Sequence, residues 1–150
     1  MGQGASDSLV VRMIKSDSII ITSHEDLQIY GKPGEEIIRR TILVKGLPND
    51  SIIKEKLVLN RSAKDSLINL IKSQKTDPIF SPFSCFIPHH TIFIFSRGVC
   101  SYIDLCFACK GYSISKDIYY DDQLFASDDI WLALKIYFKS RNFSYKVEGK

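Results

Sequence analysis

The sequence predicts a single α+β domain in which an antiparallel sheet packs against two main helices, the C-terminal one lying across the sheet. Three observations favour this fold. The chain has 150 residues, which is the usual size of one domain. Short runs rich in β-branched and aromatic residues are joined by connections too short for crossover helices. Two segments, near positions 62–75 and 127–138, place apolar residues at helical spacing.

The first half of the chain is predicted to form strands. Its β-branched runs are separated by turn signals such as Lys32-Pro33-Gly34 and Gly46-Leu47-Pro48. Because the connections between these runs are short, we expect the strands to form an antiparallel meander. The predicted strands of this half are residues 9–14, 18–22, 26–30, 36–44 and 52–59.

The two helices are predicted from their caps and from their apolar faces. Ser62 is the expected N-cap of the first helix, with Asp65 three residues later in an arrangement that resembles a capping box. The last helix is expected to begin near Ser127 and to run to position 138. It is apolar on most sides, which predicts deep packing against the sheet.

The second half of the chain combines a stiff loop with further strands. Residues 76–88 contain Pro78, Pro82 and Pro88, which suit neither a helix nor a central strand. Strands are predicted at residues 91–95 and 101–107, joined by a hairpin turn at 96–99. We also expect a strand at 111–120 and a short closing strand at 143–147.

Composition and charge indicate whether the protein is expected to bind nucleic acid or to span a membrane. The chain has 20 basic and 17 acidic residues, a formal net charge of +3, and the basic residues are scattered. A nucleic-acid-binding domain usually has a stronger and more clustered positive charge, so we expect no nucleic-acid partner. No apolar run approaches the ~20 residues that cross a bilayer, so no transmembrane segment is expected. The oligomeric state is not predicted.

The first residues carry no features of a secretory signal. They lack its charged and apolar regions, which indicates either a cytoplasmic protein or a periplasmic or envelope protein whose signal has been removed. Residues 1–7 are expected to be a flexible tail of the domain.

The most specific chemical pattern is a group of cysteines and histidines in the middle of the chain. All four cysteines lie between positions 85 and 109, and a Cys-x-x-Cys pair precedes Gly111. The spacing Cys-x4-His-x15-Cys-x2-Cys provides three thiols and an imidazole, an accepted tetrahedral shell for one zinc ion. His89 is an alternative ligand and Cys100 is a spare thiol. The candidate zinc ligands are Cys85, His90, Cys106 and Cys109.

Two other interpretations of the cysteines remain open. Free cysteines are commonly buried as small apolar residues within strands. In an oxidising compartment the same thiols form one or two disulfides. A redox pair of the thioredoxin type places Cys-x-x-Cys at a helix N-terminus, whereas the residues before Cys106 are predicted to form a strand.

The central segment resembles a group of small, uncharacterised bacterial proteins. Their signature is Cys-aromatic-x-Pro-Arg-(Asn or His)-x-Ile-x-Phe, a hairpin, and then Ile-Glu-Ile-Cys-Phe-x-Cys. Here His89 replaces the usual Arg and Asp104 the usual Glu. The resemblance covers about residues 62–145 and implies an α+β fold and a shared site, but no activity. The Asn variant at the position of His90 argues against zinc, since Asn is a poor zinc ligand. The matching residues are Cys85, Pro88, His90, Phe95, Cys106, Phe107 and Cys109.

Other candidate sites are weaker. No phosphate-binding loop or dinucleotide fingerprint is present. His89 or His90 beside Cys85 lacks the orienting group and oxyanion site that a nucleophilic pair needs. We interpret His24 as an exposed turn residue. Three phenylalanines in the proline loop form either an exposed binding ridge or, as we favour, anchors that pin the loop to the core: Phe80, Phe83 and Phe86.

The sequence therefore favours a non-catalytic protein-binding module. By analogy with small bacterial domains, this class includes immunity-type proteins that bind and neutralise a toxin, so a toxin or effector is the expected protein partner. The alternative is a zinc-binding or thiol/disulfide-dependent protein that uses the central cysteine and histidine cluster. In that case the cofactor is either none or one zinc ion.

Overall fold

The computed structural model describes residues 7–148 and confirms the α+β fold. The described part contains three α-helices, α1 Leu9–Lys15, α2 Arg61–Lys72 and α3 Asp128–Ser140. A short 3₁₀ turn spans Asp50–Ile52. The strands are β1 Ser18–His24, β2 Gln28–Ile29, β3 Ile38–Arg39, β4 Leu43–Val44, β5 Leu47–Pro48, β6 Ile53–Val58, β7 His90–Ser96, β8 Val99–Cys106 and β9 Gly111–Ile114.

The main sheet has five strands in the order β6-β1-β7-β8-β9, and every neighbouring pair is antiparallel. Thr22 lies opposite Thr91, which in turn lies opposite Asp104. The predicted meander of the first half is only partly present, because the chain leaves the sheet after β1. The pairs β2–β3 and β4–β5 form two separate two-stranded hairpins before β6 returns to pair with β1.

One face of the sheet is covered by the helices and holds the larger core. Alternate strand residues such as Ile21, Ile92 and Ile103 point into it and have no exposed surface. The C-terminal helix α3 contributes Leu134 and Phe138, which are also fully buried, as its apolar sequence predicts. Burial of these side chains is the main stabilising contribution to the fold.

The opposite face of the sheet is covered by the excursion between β1 and β6. Phe93 of β7 and Cys100 of β8 pack there against Ile42, with Ile20 and Tyr102 at the margin. The central strands of the sheet are therefore covered on both sides, while the edge strand β6 stays largely exposed. Polar residues that alternate onto this second face are buried, and they form part of the site described below.

Two strand predictions are wrong in the first half. Residues 9–14 form helix α1, capped by Ser8, whose hydroxyl accepts a hydrogen bond from the Val11 N–H. Leu9 and Met13 are buried four residues apart, so the helical period outweighs the β-branched composition. Residues 36–44 do not form one strand, and only the two-residue strands β3 and β4 are paired there.

Three further boundaries differ from the prediction. Helix α2 is capped by Asn60 rather than Ser62, and the Asn60 side chain accepts from the Ala63 N–H. Strand β9 ends at Ile114, well before position 120. Residues 143–147 form no strand, since 145–147 lie in a turn and Glu55 accepts hydrogen bonds from the backbone N–H groups of Ser144 and Tyr145.

The predicted flexible tail falls mostly on residues 1–6, which lie outside the described residues. Asp7 is described and forms a parallel bridge with Ile118. Its carboxylate also pairs with Arg12 and Lys15. Between residues 7 and 148, no helix combines the length and apolarity needed to span a bilayer.

Candidate functional site

The candidate site lies where strand β8 ends and the chain turns into β9. Cys106 is the last residue of β8 and pairs in register with Gly111. The intervening turn, with Lys110 at a positive φ of 54°, brings Cys109 back towards Cys106. In a continuous strand, residues three apart would point to opposite faces. Here the two cysteines form a disulfide, with their Cα atoms 5.3 Å apart.

The two sulfur atoms have different surroundings. The backbone N–H of Cys109 donates a hydrogen bond of 3.1 Å to the Sγ of Cys106. When the disulfide is broken, this donor stabilises a thiolate on Cys106 more than one on Cys109. Cys106 is therefore the better leaving group, and an incoming thiolate is expected to attack the sulfur of Cys109.

The disulfide forms part of the wall of a cavity of about 240 Å³. Its walls are mainly apolar, and its other lining residues come from the proline loop, the start of β7 and the C-terminal turn. Cys85 on the proline loop is exposed and its thiol is free. The cavity is lined by Cys85, Ile87, His89, His90, Cys106, Phe107, Ala108, Cys109 and Lys146.

The buried side chain of His90 forms part of the wall of this cavity. Its ring lies 4.7 Å from that of Phe107 and 5.4 Å from that of Phe138, measured between centroids. Burial, with smaller effects from His24 and His89, lowers the pKa of His90 to about 3. The imidazole is therefore neutral at pH 7. Its Nε2 has no hydrogen-bond partner among the described residues.

A second polar group lies on the opposite face of the sheet, and it corrects the prediction for His24. His24 is buried rather than exposed, and its Nε2 lies 2.9 Å from Asp104 Oδ1. Thr91 donates a further hydrogen bond of 2.9 Å to the same oxygen. His24 Nδ1 lies 2.7 Å from the Glu25 carbonyl, which only accepts, so Nδ1 carries a proton.

The contact between His24 Nε2 and Asp104 consequently needs one more proton, shared by the two side chains. Burial raises the pKa of Asp104, while the hydrogen bond from His24 acts in the opposite direction. The pair as a whole is therefore neutral. This arrangement satisfies both buried groups and fixes the end of β1 against β8.

A second histidine–carboxylate pair continues from the first towards the surface. His89 Nε2 lies 2.5 Å from Asp26 Oδ1, and the His24 and His89 rings are 6.2 Å apart. The hydrogen bond from His89 is the largest influence on Asp26 and lowers its pKa. The four side chains position the start of β7, and with it the cavity wall formed by His89 and His90.

The four predicted zinc ligands line one cavity but do not form a ligand shell in the structure. Cys106 and Cys109 are joined to each other. Between residues 7 and 148, no group of three or more His, Cys, Asp or Glu side chains is arranged to hold a metal ion. A zinc site at Cys85, His90, Cys106 and Cys109 would require reduction of the disulfide, and it stays a prediction.

Cys100 fits the interpretation of a buried core thiol. It packs beside Phe93 on the second face of the sheet. Burial, reinforced by the negative charge of Asp117, raises the pKa of Cys100 to about 11. This thiol is therefore protonated and unreactive at neutral pH.

The proline loop is only partly pinned to the core. Phe80 packs against the core as we favoured, but Phe83 and Phe86 are exposed. The loop is held to the cysteine turn by its backbone, since the Phe83 N–H donates to the Cys109 carbonyl at 3.0 Å.

Sequence reasoning missed the pairing of His24 with Asp104. One signal of their burial was present. His24 ends one apolar strand run and Asp104 lies within another, and alternate positions of such runs are buried. Their partnership across 80 positions depends on strand order, which the sequence pattern does not give.

No protein-family model matches this chain, and no curated protein or solved structure shows significant similarity to it. The resemblance to the bacterial group with the Cys-x-x-Cys signature therefore stays a prediction.

Proposed function

We propose that this protein performs thiol–disulfide exchange, with the Cys106–Cys109 pair cycling between a disulfide and a dithiol. The supporting observation is that this disulfide lines a cavity that the free thiol of Cys85 also lines. A structural disulfide is usually shielded by packed side chains. Here the pair is only 2% exposed, but it lines a cavity whose wall includes the exposed residues Cys85 and Ile87 of the proline loop.

The loop that the disulfide closes is too short for a large stabilising effect. The two cysteines are separated by three positions in the chain. Chain-entropy arguments assign about 2 kcal/mol to a disulfide closing about four residues, against about 4.7 kcal/mol for a loop of 100 residues. Neither Cys106 nor Cys109 is a member of the helix-covered core cluster, so reduction leaves most of the core packing in place.

The proposed reaction is a two-electron exchange with a dithiol. One thiolate of the dithiol attacks Cys109 Sγ, the bond between the two cysteines breaks, and Cys106 leaves as a thiolate. The second thiol of the co-reactant, once deprotonated, attacks the mixed disulfide and releases Cys109. The products are the oxidised co-reactant and the reduced pair, with the two protons passing to the two protein thiolates or to water.

A redox titration tests this proposal. The folded protein is equilibrated in thiol/disulfide buffers of graded potential, quenched with acid, alkylated and weighed. We expect two thiols to become alkylated together as the buffer becomes more reducing, while near-UV circular dichroism keeps its native form. Cys100→Ala serves as the matched control and should titrate like the wild type. A pair that stays oxidised until the native spectrum is lost would overturn the proposal.

A second candidate function, binding of a protein partner, is favoured by exposed apolar residues on the proline loop. The relative exposure is 87% for Ile79, 64% for Phe83 and 57% for Ile87. Exposed apolar side chains that lie together on one surface mark a candidate site for a protein partner. An immunity-type protein that neutralises a toxin falls within this candidate.

Matched surface variants test the second candidate. The triple variant Ile79→Ser, Phe83→Ser, Ile87→Ser is compared with Ile38→Ser, Leu47→Ser, whose side chains are 57% and 58% exposed on the small hairpins. The wild type and the two variants are each immobilised and exposed to lysate of the native host. A partner retained by the wild type and the hairpin variant but lost by the loop variant supports this function. Equal retention by all three would exclude the loop as the binding surface.

A further inference from the structure

The cysteine pair is buried too deeply to meet a protein substrate directly. Cys106 and Cys109 are each only 2% exposed. An attack needs the incoming sulfur to approach along the axis of the disulfide, and a cysteine on a folded protein does not enter a cavity of about 240 Å³ to reach sulfurs in its wall. Exchange with a macromolecule therefore needs an intermediary on the surface.

Cys85 is positioned to be that intermediary. It is exposed, and it lines the same cavity as the disulfide. The residues on either side of it are held against the cysteine turn. The Phe83 N–H donates to the Cys109 carbonyl at 3.0 Å, and the Phe86 ring lies 3.6 Å from where a Cβ on Gly111 would be.

We propose that Cys85 is a third redox thiol. It exchanges with the buried disulfide and then passes the disulfide bond to a cysteine of a partner protein. This inference rests on the proposed thiol–disulfide function and deepens it. It assigns Cys85 a role that neither a structural disulfide nor a small-molecule exchange at the buried pair requires.

The relay step is an internal exchange that consumes no external oxidant. The Cys85 thiolate attacks Cys109 Sγ, the bond between Cys109 and Cys106 breaks, and Cys106 leaves as a thiolate. The Cys109 N–H already donates to the Cys106 sulfur, which favours this direction of cleavage. The product is a Cys85–Cys109 disulfide with one sulfur on an exposed residue.

The second step transfers the disulfide to the partner. A thiolate of the partner attacks Cys85 Sγ, Cys109 leaves as a thiolate, and a mixed disulfide joins Cys85 to the partner. A second thiolate of the partner then attacks the partner's sulfur in this mixed disulfide, and Cys85 leaves as a thiolate. The partner gains a disulfide, and the protein retains three reduced thiols at Cys85, Cys106 and Cys109.

The surface around Cys85 indicates which partner cysteines are favoured. Phe83 and Ile87 flank it at two residues' distance and are 64% and 57% exposed. A partner cysteine whose neighbours are apolar would bury these side chains while the sulfurs meet. The proline loop is stiff, so little conformational entropy is lost when the surface is covered.

Trapping variants test the relay directly. Cys106→Ser removes the leaving sulfur, so the oxidised variant is expected to hold a Cys85–Cys109 disulfide, identified by peptide mapping after acid quench. Cys85→Ser, Cys106→Ser is the matched control and should retain free Cys109. A Cys106→Ser variant that keeps free thiols at both Cys85 and Cys109, in a buffer that oxidises the wild-type pair, would overturn the relay.

Kinetics separates failure of the relay from failure of the proposed function. Two synthetic peptides carry one Cys-x-x-Cys pair each, flanked by Leu and Phe in one and by Ser and Gly in the other. We expect Cys85→Ser to oxidise the apolar peptide at least 10-fold more slowly than the wild type, with the buried pair still titrating in redox buffers. Equal rates would refute the relay alone. A pair that never exchanges in the native state would refute the function as well.

Discussion

His24 Nε2 lies 2.9 Å from Asp104 Oδ1, and both side chains are only 2% exposed. The pair joins the end of β1 to β8 across β7, where Thr91 adds a hydrogen bond to the same carboxylate. A buried acid and a buried base that share one proton satisfy each other at no net charge. Removing one of them leaves the other without a partner in a region that water does not reach.

Asp104 variants therefore differ according to whether they keep hydrogen-bonding capacity. Asp104→Ala leaves His24 and Thr91 unsatisfied, and we expect it to lower the free energy of unfolding by about 3–5 kcal/mol. Asp104→Asn supplies two N–H donors, one for His24 Nε2 and one for the Thr91 hydroxyl, and should lose under about 2 kcal/mol. Urea unfolding at pH 7 measures both, with exposed Asp122→Asn as control. Equal losses for Ala and Asn would contradict the shared-proton account.

His90 predicts a specific loss of stability in acid. Burial lowers its pKa to about 3 in the folded protein, whereas the unfolded value is 6.5. Between these values the unfolded chain binds a proton that the folded chain does not, so stability falls as pH falls from 6.5 towards 3. His90→Phe removes this contribution and keeps an aromatic ring beside Phe107 and Phe138.

The measurement for His90 is the urea midpoint at pH 7, 6, 5 and 4. The wild type should lose more stability over this range than His90→Phe, since the carboxylates that titrate there are common to both proteins. Parallel curves for the two proteins would contradict a buried, neutral His90.

Glu55 predicts how the C-terminal turn is held. Its carboxylate accepts hydrogen bonds from Ser23, Ser144 and Tyr145. Burial alone would raise the pKa of Glu55. The hydrogen bonds outweigh burial and hold this pKa below its usual value. Glu55→Ala should release residues 143–147, which include the cavity-lining Lys146. Hydrogen exchange is expected to accelerate in this segment and not in α3. Unchanged protection at 143–147 would show that other contacts anchor the turn.

The two free cysteines should differ in reactivity. Cys85 is exposed, whereas Cys100 is buried and its pKa is raised to about 11. A maleimide added to the native protein at pH 7 is expected to modify Cys85 within minutes and to leave Cys100 unmodified until the protein is unfolded. Peptide mapping identifies the modified residue. Comparable labelling of both in the native state would contradict the burial of Cys100.

Local patterns predicted those parts of the fold that local interactions determine. Strands β7 and β8 with their hairpin follow from alternation and the Arg97-Gly98 turn, and α3 follows from its Ser127 cap and apolar surface. Helix α1 was missed because three β-branched residues outweighed the spacing of Leu9 and Met13. The predicted closing strand at 143–147 is absent, because the backbone N–H of Ser144 donates to the side chain of Glu55, which lies 89 positions away, and not to a strand.

The candidate site was predicted as a set of residues but not as an arrangement. The cysteine spacing predicted one site made of Cys85, His90, Cys106 and Cys109, and all four residues line one cavity. Whether the pair at 106 and 109 bonds to itself or to a metal depends on the turn at Lys110 and on the redox state, which spacing alone does not determine. The burial of His24 depends on strand order in the same way.

The most direct test of the central claim is the rate at which a small dithiol reduces the Cys106–Cys109 disulfide, measured as a function of urea below the unfolding transition. If the pair exchanges through the cavity of the native protein, the rate rises in proportion to dithiol concentration and is nearly independent of urea. If reduction needs global unfolding, the rate follows the unfolded population and rises steeply with urea, by a slope equal to that of equilibrium unfolding. The first result is the one we predict, and the second would make this disulfide a structural bond and contradict the proposed function.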